Sequence, residues 1–136
     1  MLPVEVANYL AAAGLGLTVG TNLFHVRLTD SAPDAAVGLA EMTGPGDAGT
    51  FGDSLSASAF EQSRLVIIVR GSRDGASTAR TLAGSVYDKL HRLGPTTLGG
   101  VTYYDVRAEQ RPFGPDYDEN ERPIYRFVVA VTKAPS

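Results

Sequence analysis

The sequence predicts an α+β fold. It reads as one small domain whose mixed, mostly antiparallel sheet of about four to five strands is packed by one long helix and a short N-terminal helix. Three observations predict this. Residues 65–69 (LVIIV) offer no polar position, which marks a strand inside a sheet with both faces covered. Residues 76–93 place Ala79, Leu82, Ala83, Val86, Leu90 and Leu93 on one helical stripe that must dock on that sheet. Segments 101–108 and 124–133 then alternate with the period of two that belongs to strands. A chain of 136 residues suits a single domain, 1–136, burying roughly two-thirds of the surface its unfolded form exposes.

In chain order, Leu2, Val6, Tyr9, Leu10 and Ala13 recur at helical spacing, and Gly14 stands where a left-handed C-terminal cap belongs. Leu17, Val19 and residues 22–28 predict extended chain, with His25 on the polar side of an edge strand. Pro33 marks a turn, and 35–42 follows as a strand. Residues 43–58 (TGPGDAGTFGDSLSAS) form a long loop rich in Gly, Ser and Asp. In the strand–helix unit after it, Asp74 is the expected N-cap, Lys89, His91 and Arg92 suit the last turn, and Gly94-Pro95 ends the helix. Ile67, Val69, Leu82, Val86, Leu90, Phe127 and Val129 should form the centre of the core. In strand 101–108, Thr102, Tyr104, Val106 and Ala108 are expected on one face and Val101, Tyr103, Asp105 and Arg107 on the other. In the last strand Tyr125, Phe127, Val129 and Val131 share a side. A second long loop, 109–123, is punctuated by Pro112, Pro115 and Pro123. Both loops are too poor in apolar residues to pack alone, so mobility is expected of them.

Composition narrows the chemistry. The chain is 43% hydrophobic and 20% charged, the profile of a globular protein. With Cys 0 it has no thiolate or disulfide to offer, and His25 and His91 are the only nitrogen ligands, so neither a metal nor any other cofactor is expected. A net charge of −3 gives no basic footprint for nucleic acid. No leader-like segment opens the chain and no apolar run approaches the ~20 residues of a membrane span, so assembly in a cytoplasm is expected.

The short motifs argue against catalysis. Gly14, Gly16 and Gly20 resemble a phosphate loop, but the run follows a helix instead of opening one, and no Gly-Lys-Ser/Thr occurs. Asp116, Asp118 and Asn120 have calcium-loop spacing, yet Glu121 stands where Gly is required and Phe127 where Glu is required. Loop 116–121 could hold a cation weakly; a solvated turn is the better reading. No G-x-S-x-G elbow accompanies the serines. Arg70, Arg73 and Arg80 flank the strand-to-helix turn, and Arg107, Arg111, Arg122 and Arg126 surround the second loop. Such arginines are either scattered surface charge or interface anchors.

Three stretches together, VANYLAAAGLGLTVGTNLFHVRL, VIIVRGSRDGASTARTLAGSVYDKLHRL and PFGPDYDENERPIYRFVVAV, resemble the minor capsid proteins of long-tailed bacteriophages that act as tail terminators. The resemblance covers most of the chain in the same order and is thinnest at 43–58. Its most specific pieces are Gly14-Leu15-Gly16-Leu17 leading to Asn22-Leu23-Phe24, and Asp118-Glu119-Asn120 followed by Arg122-Pro123. It implies a non-enzymatic virion protein at the head-proximal end of the tail. Such a protein forms a ring, typically a hexamer, that caps the tail-tube protein, stops its polymerisation and meets the head-completion or neck proteins. DNA would pass through the lumen only on ejection. Phe51, Arg73, Arg111, Phe113, Tyr117 and Arg122 are the expected contacts, as aromatics and arginines on loops. Other readings stay open: a neck or head-closure connector, a small non-catalytic ligand-binding or regulatory module, and an unrecognised enzyme.

Overall fold

The computed structural model describes residues 2–25, 28, 32–42 and 61–134. Its elements run α1 (Leu2–Ala11), β1 (Leu23–Phe24), β2 (Ala36–Met42), β3 (Glu61–Arg70), α2 (Ala76–Leu90), β4 (Thr96–Leu98), β5 (Val101–Ala108), β6 (Phe113–Tyr117) and β7 (Pro123–Lys133). The spine is the antiparallel pair β3 and β7, in register from Glu61 opposite Lys133 to Arg70 opposite Ile124. The sheet order is β1-β2-β3-β7-β5-β4, with β6 also beside β7. Among the described strands only β1 and β2 pair in parallel.

The α+β class is as expected, but the sheet has seven strands instead of four to five. The additions are β4, too short to show a period, and β6, whose FGPDY carries Gly and Pro where a strand pattern would carry β-branched residues. Segment 109–123 is therefore not one loop. Residues 43–58 lie outside the described residues. Between 22 and 28, the described strand is only Leu23–Phe24.

Both helices lie on one face. α2 packs on β3, β5 and β7, and α1 on β1, β2 and β4. The alternation of β7 follows from this layering: Tyr125, Phe127, Val129 and Val131 point into the core and the residues between them do not. In β3, Leu65, Ile67 and Val69 are buried while Val66 and Ile68 keep partial exposure. The expectation that this strand is covered on both faces is thus corrected, since the described helices cover one. Ile67, Val69, Val86, Leu90, Phe127 and Val129 are fully buried in a single cluster, and Leu82 packs against its rim.

Three further expectations yield to tertiary contacts. α2 ends at Leu90, short of residue 93, because the Arg92 N–H donates to the Val106 carbonyl and the Val106 N–H to that of Leu93. Arg92 takes a left-handed φ of 64° to make that turn. At the other end the N-cap is Gly75, not Asp74, and no side chain caps it; a Cβ at Gly75 would stand 2.6 Å from the Ser72 Oγ, so a larger residue there would have to turn that side chain aside. In β5, Tyr103 opposes Lys133 and Asp105 opposes Thr132, so Tyr104 is an extra residue bulged out of the ladder. Tyr103 and Val106 are consequently both core residues, and strict alternation fails there.

One charged cluster lies inside this framework. The buried Tyr103 hydroxyl donates to the Glu5 carboxylate, and the Lys133 Nζ lies 4.0 Å from the same carboxylate. Lys133 is only 2% exposed. Burial pushes the Glu5 carboxyl up, but the interactions that favour its charged form, the Tyr103 hydrogen bond and the Lys133 charge among them, leave Glu5 below the ordinary carboxylate value. Burial and the neighbouring carboxylate push the Tyr103 phenol upward.

Candidate interaction surface

The hairpin β6–β7 presents the least protected strand among the described residues. Every residue of β6 is exposed, and among the described residues the strand pairs only with β7. Phe113 is 49% and Tyr117 59% exposed, large apolar side chains left in water. Phe113 stands opposite Arg126 and Tyr117 opposite Pro123. Cross-strand partners share a face, so Phe113 is on the side away from the helices and Tyr117 on the helix side. The two aromatics straddle one edge strand.

The turn after β6 explains why the hairpin holds this shape. The Asp118 carboxylate accepts from the backbone N–H groups of Asn120 (3.0 Å) and Arg122 (2.9 Å) and from the Arg122 Nε (2.7 Å). Burial pushes the Asp118 carboxyl up, but these donors prevail and hold it below the ordinary range. Glu121 adopts a left-handed φ of 60°, which closes the turn. On its other side the Arg122 Nη1 reaches the Asp34 Oδ1 at 3.3 Å. Arg122 is 5% exposed. It is therefore an internal strut and not an exposed loop contact as expected, because its guanidinium bridges two carboxylates from separate segments.

Arg73 and Arg111 flank the hairpin. The exposed Arg73, from the β3–α2 turn, donates from Nε to the Asn120 carbonyl at 3.2 Å and faces the Glu121 carboxylate at 3.6 Å. With Asp74, Tyr117 and Glu121 it lines a recess at the hairpin tip. The Arg111 guanidinium lies over the Tyr87 ring, 5.3 Å from its centroid. Tyr87 in turn stacks on His91, whose Nδ1 accepts the Ala108 N–H at 3.0 Å. His91 thus ties the end of α2 to β5. Four of the six expected contact residues, Arg73, Arg111, Phe113 and Tyr117, converge on this hairpin and its flanks. Phe51 lies outside the described residues.

A cleft of about 430 Å³ between α2 and the root of the hairpin was not marked by the sequence as a unit. It is lined by Arg80, Gly84, Arg111, Pro112, Gly114, Pro115 and Tyr125. Arg80 and Gly84 come from α2, Tyr125 from β7 and the others from the segment 111–115, so only packing brings them together. Gly114 is required at the root: its φ is 148°, and a Cβ there would stand 2.5 Å from the Ile124 carbonyl oxygen.

The glycines after α1 form a turn. Gly14, Gly16 and Gly20 all take positive φ, and Asn22 fastens them by accepting from the Thr18 N–H and donating to the Gly16 carbonyl. Among the described residues no cluster of His, Asp and Glu is placed to hold a metal ion, and no helix is long and apolar enough to cross a membrane.

No family model matches this chain, and no curated protein matches it. A solved chain described as "Virion of native gene transfer agent (GTA) particle" matches it with a TM-score of 0.69. That match covers 98% of this chain and 95% of the other at 22% identity. What the two chains share is the fold, over essentially their whole lengths.

Proposed function

We propose that this chain is a structural virion protein that forms a ring, hexameric in the reading favoured here, on the end of a phage-like tail tube. The ring stops tube polymerisation and joins the tail to head-completion or neck proteins. The observation that carries the reading is the full-length likeness of fold to a chain of a gene transfer agent virion. The surface chemistry supports it. Exposed aromatics on one hairpin and arginines beside it are the residue types that anchor protein interfaces, and a ring repeats one modest contact until the contacts sum to a stable cap.

In this reading Arg73, Arg111, Phe113 and Tyr117 make contacts between protomers or with tail-tube protein, while Arg122 keeps the hairpin in shape for them. The chain acts by presenting surfaces and not by catalysis, without a cofactor, and its place is the head-proximal end of the tail after assembly in the host cytoplasm. DNA meets it only in passing through the lumen, and it needs no membrane.

Deletion of the gene from a producing strain tests this. The expected particles carry tubes of uncontrolled length that fail to join filled heads. Tails of normal length beside unsealed heads would replace the cap with a head-closure role. Normal, infectious particles would overturn both.

A further inference from the structure

Arg80 and Arg111 are two arginines without a carboxylate partner among the described residues, and they share one cleft. Arg64, Arg73, Arg107, Arg122 and Arg126 each face a carboxylate within 4.0 Å. Among the described residues no carboxylate pairs with Arg80 or Arg111, and both line the cleft between α2 and β6, whose lining contains no acidic residue. The space between them is open. Gly84, one turn along α2 from Arg80, offers no side chain, and a Cβ built there would meet nothing within 4 Å. Beside the cleft, the outer edge of β6 has no strand partner among the described residues.

We infer that this cleft receives an acidic side chain carried on an extended segment of a partner protein. The argument is charge complementarity joined to shape. A guanidinium presents a planar fork that fits a carboxylate with two parallel hydrogen bonds, and two such forks share one opening. Pro112, Pro115 and Tyr125 supply apolar walls for the aliphatic stem of a Glu, and the free edge of β6 lies where the segment's backbone would run. A nucleic-acid backbone fits less well. Two guanidiniums are few against a continuous polyanion, whose binding rests on many such contacts along its length. The inference deepens the assembly reading by naming the chemistry of one partner segment, and rests on that reading only for the existence of a protein partner.

The test uses the whole chain and a fluorescein-labelled hexaglutamate peptide, with binding followed by fluorescence anisotropy at low ionic strength. Arg80→Gln with Arg111→Gln should weaken binding about tenfold or more, as expected when charge-assisted hydrogen bonds are removed. Gly84→Leu should do the same by filling the opening while keeping both charges, and it replaces a helix glycine with a better helix former. Arg107→Gln, outside the cleft, should leave binding unchanged. Absence of hexaglutamate binding, or equal binding by the double variant, would overturn the inference. Tighter binding of an oligothymidine, lost in the same variants, would assign the cleft to nucleic acid and overturn it too. Self-association lost in the double variant, without peptide binding, would make the occupant a second copy of this chain and overturn it as well. Particles carrying the double variant with tails of correct length, together with an unbound peptide, would remove the cleft and leave the tail-end reading standing.

Discussion

Lys133 and Arg122 are both buried cations, and their surroundings differ. Lys133 sits under α1 against a buried carboxylate and a buried phenol. Arg122 sits at the edge of the molecule between Asp118 and an Asp34 carboxylate that is mostly exposed. The first cluster joins α1 to β5 and β7, elements at opposite ends of the chain, inside the core. The second holds an exposed strand in a fixed shape. The difference separates the charges that keep this protein folded from those that keep its surface presentable. Damage to the first should cost global stability; damage to the second should cost assembly.

The largest expected effect breaks the inner cluster. Glu5→Ala removes the carboxylate facing Lys133 and Tyr103 and should cost about 3–5 kcal/mol, the range for breaking a buried ion pair from one side. Urea unfolding measures it, and a loss typical of a surface site would show that water reaches the cluster. The same carboxylate makes stability depend on pH. Its folded-state pKa is depressed, so its contribution is present above the ordinary carboxylate value and fades as pH falls through the depressed one. Glu5→Gln should flatten that acid limb of the stability curve.

Next in size is the neutral core beside it. Leu90→Ala removes a fully buried side chain at the end of α2 and should cost about 2–5 kcal/mol. Arg122→Ala should cost less, about 1.5–3 kcal/mol for its charge-assisted bonds. Its signature should be local: faster hydrogen exchange across 113–122 with the β3–β7 pairing still protected. Uniform loss of protection would erase the distinction between the two clusters. The smallest effect on stability belongs to the hairpin face. Phe113→Ser and Tyr117→Ser should each change unfolding free energy by no more than about 0.5 kcal/mol yet weaken self-association in light scattering. Unchanged association would remove these aromatics from the interface.

Much of the inner region was legible in the sequence. The unbroken apolar run LVIIV marked a strand, while the stripe on α2 and the alternation of Tyr125, Phe127, Val129 and Val131 are periodic over short spans, and periodicity is a local record of which side faces the core. The candidate surface was legible only in part. Residue type pointed to Arg73, Arg111, Phe113 and Tyr117, but the same rule chose Arg122, which the fold buries. Nothing around Gly114-Pro115 announces a strand, because β6 exists through its pairing with β7 and not through its own propensity.

By itself, then, the sequence determined the α+β class, the central strand, the docking stripe of α2 and the inward side of β7. Each follows from spacings of two to four residues, and burial rewards such spacings wherever the element finally sits. The tertiary structure alone decided the rest. It bulged Tyr104 out of β5, stopped α2 at Leu90 against Val106, and set Glu5 beside Lys133. It also drew Asp34 onto Arg122 and joined Arg80 to Arg111 across one cleft. These contacts join residues far apart in the chain, and a local pattern carries no record of which distant partner will neutralise a charge or pair an edge.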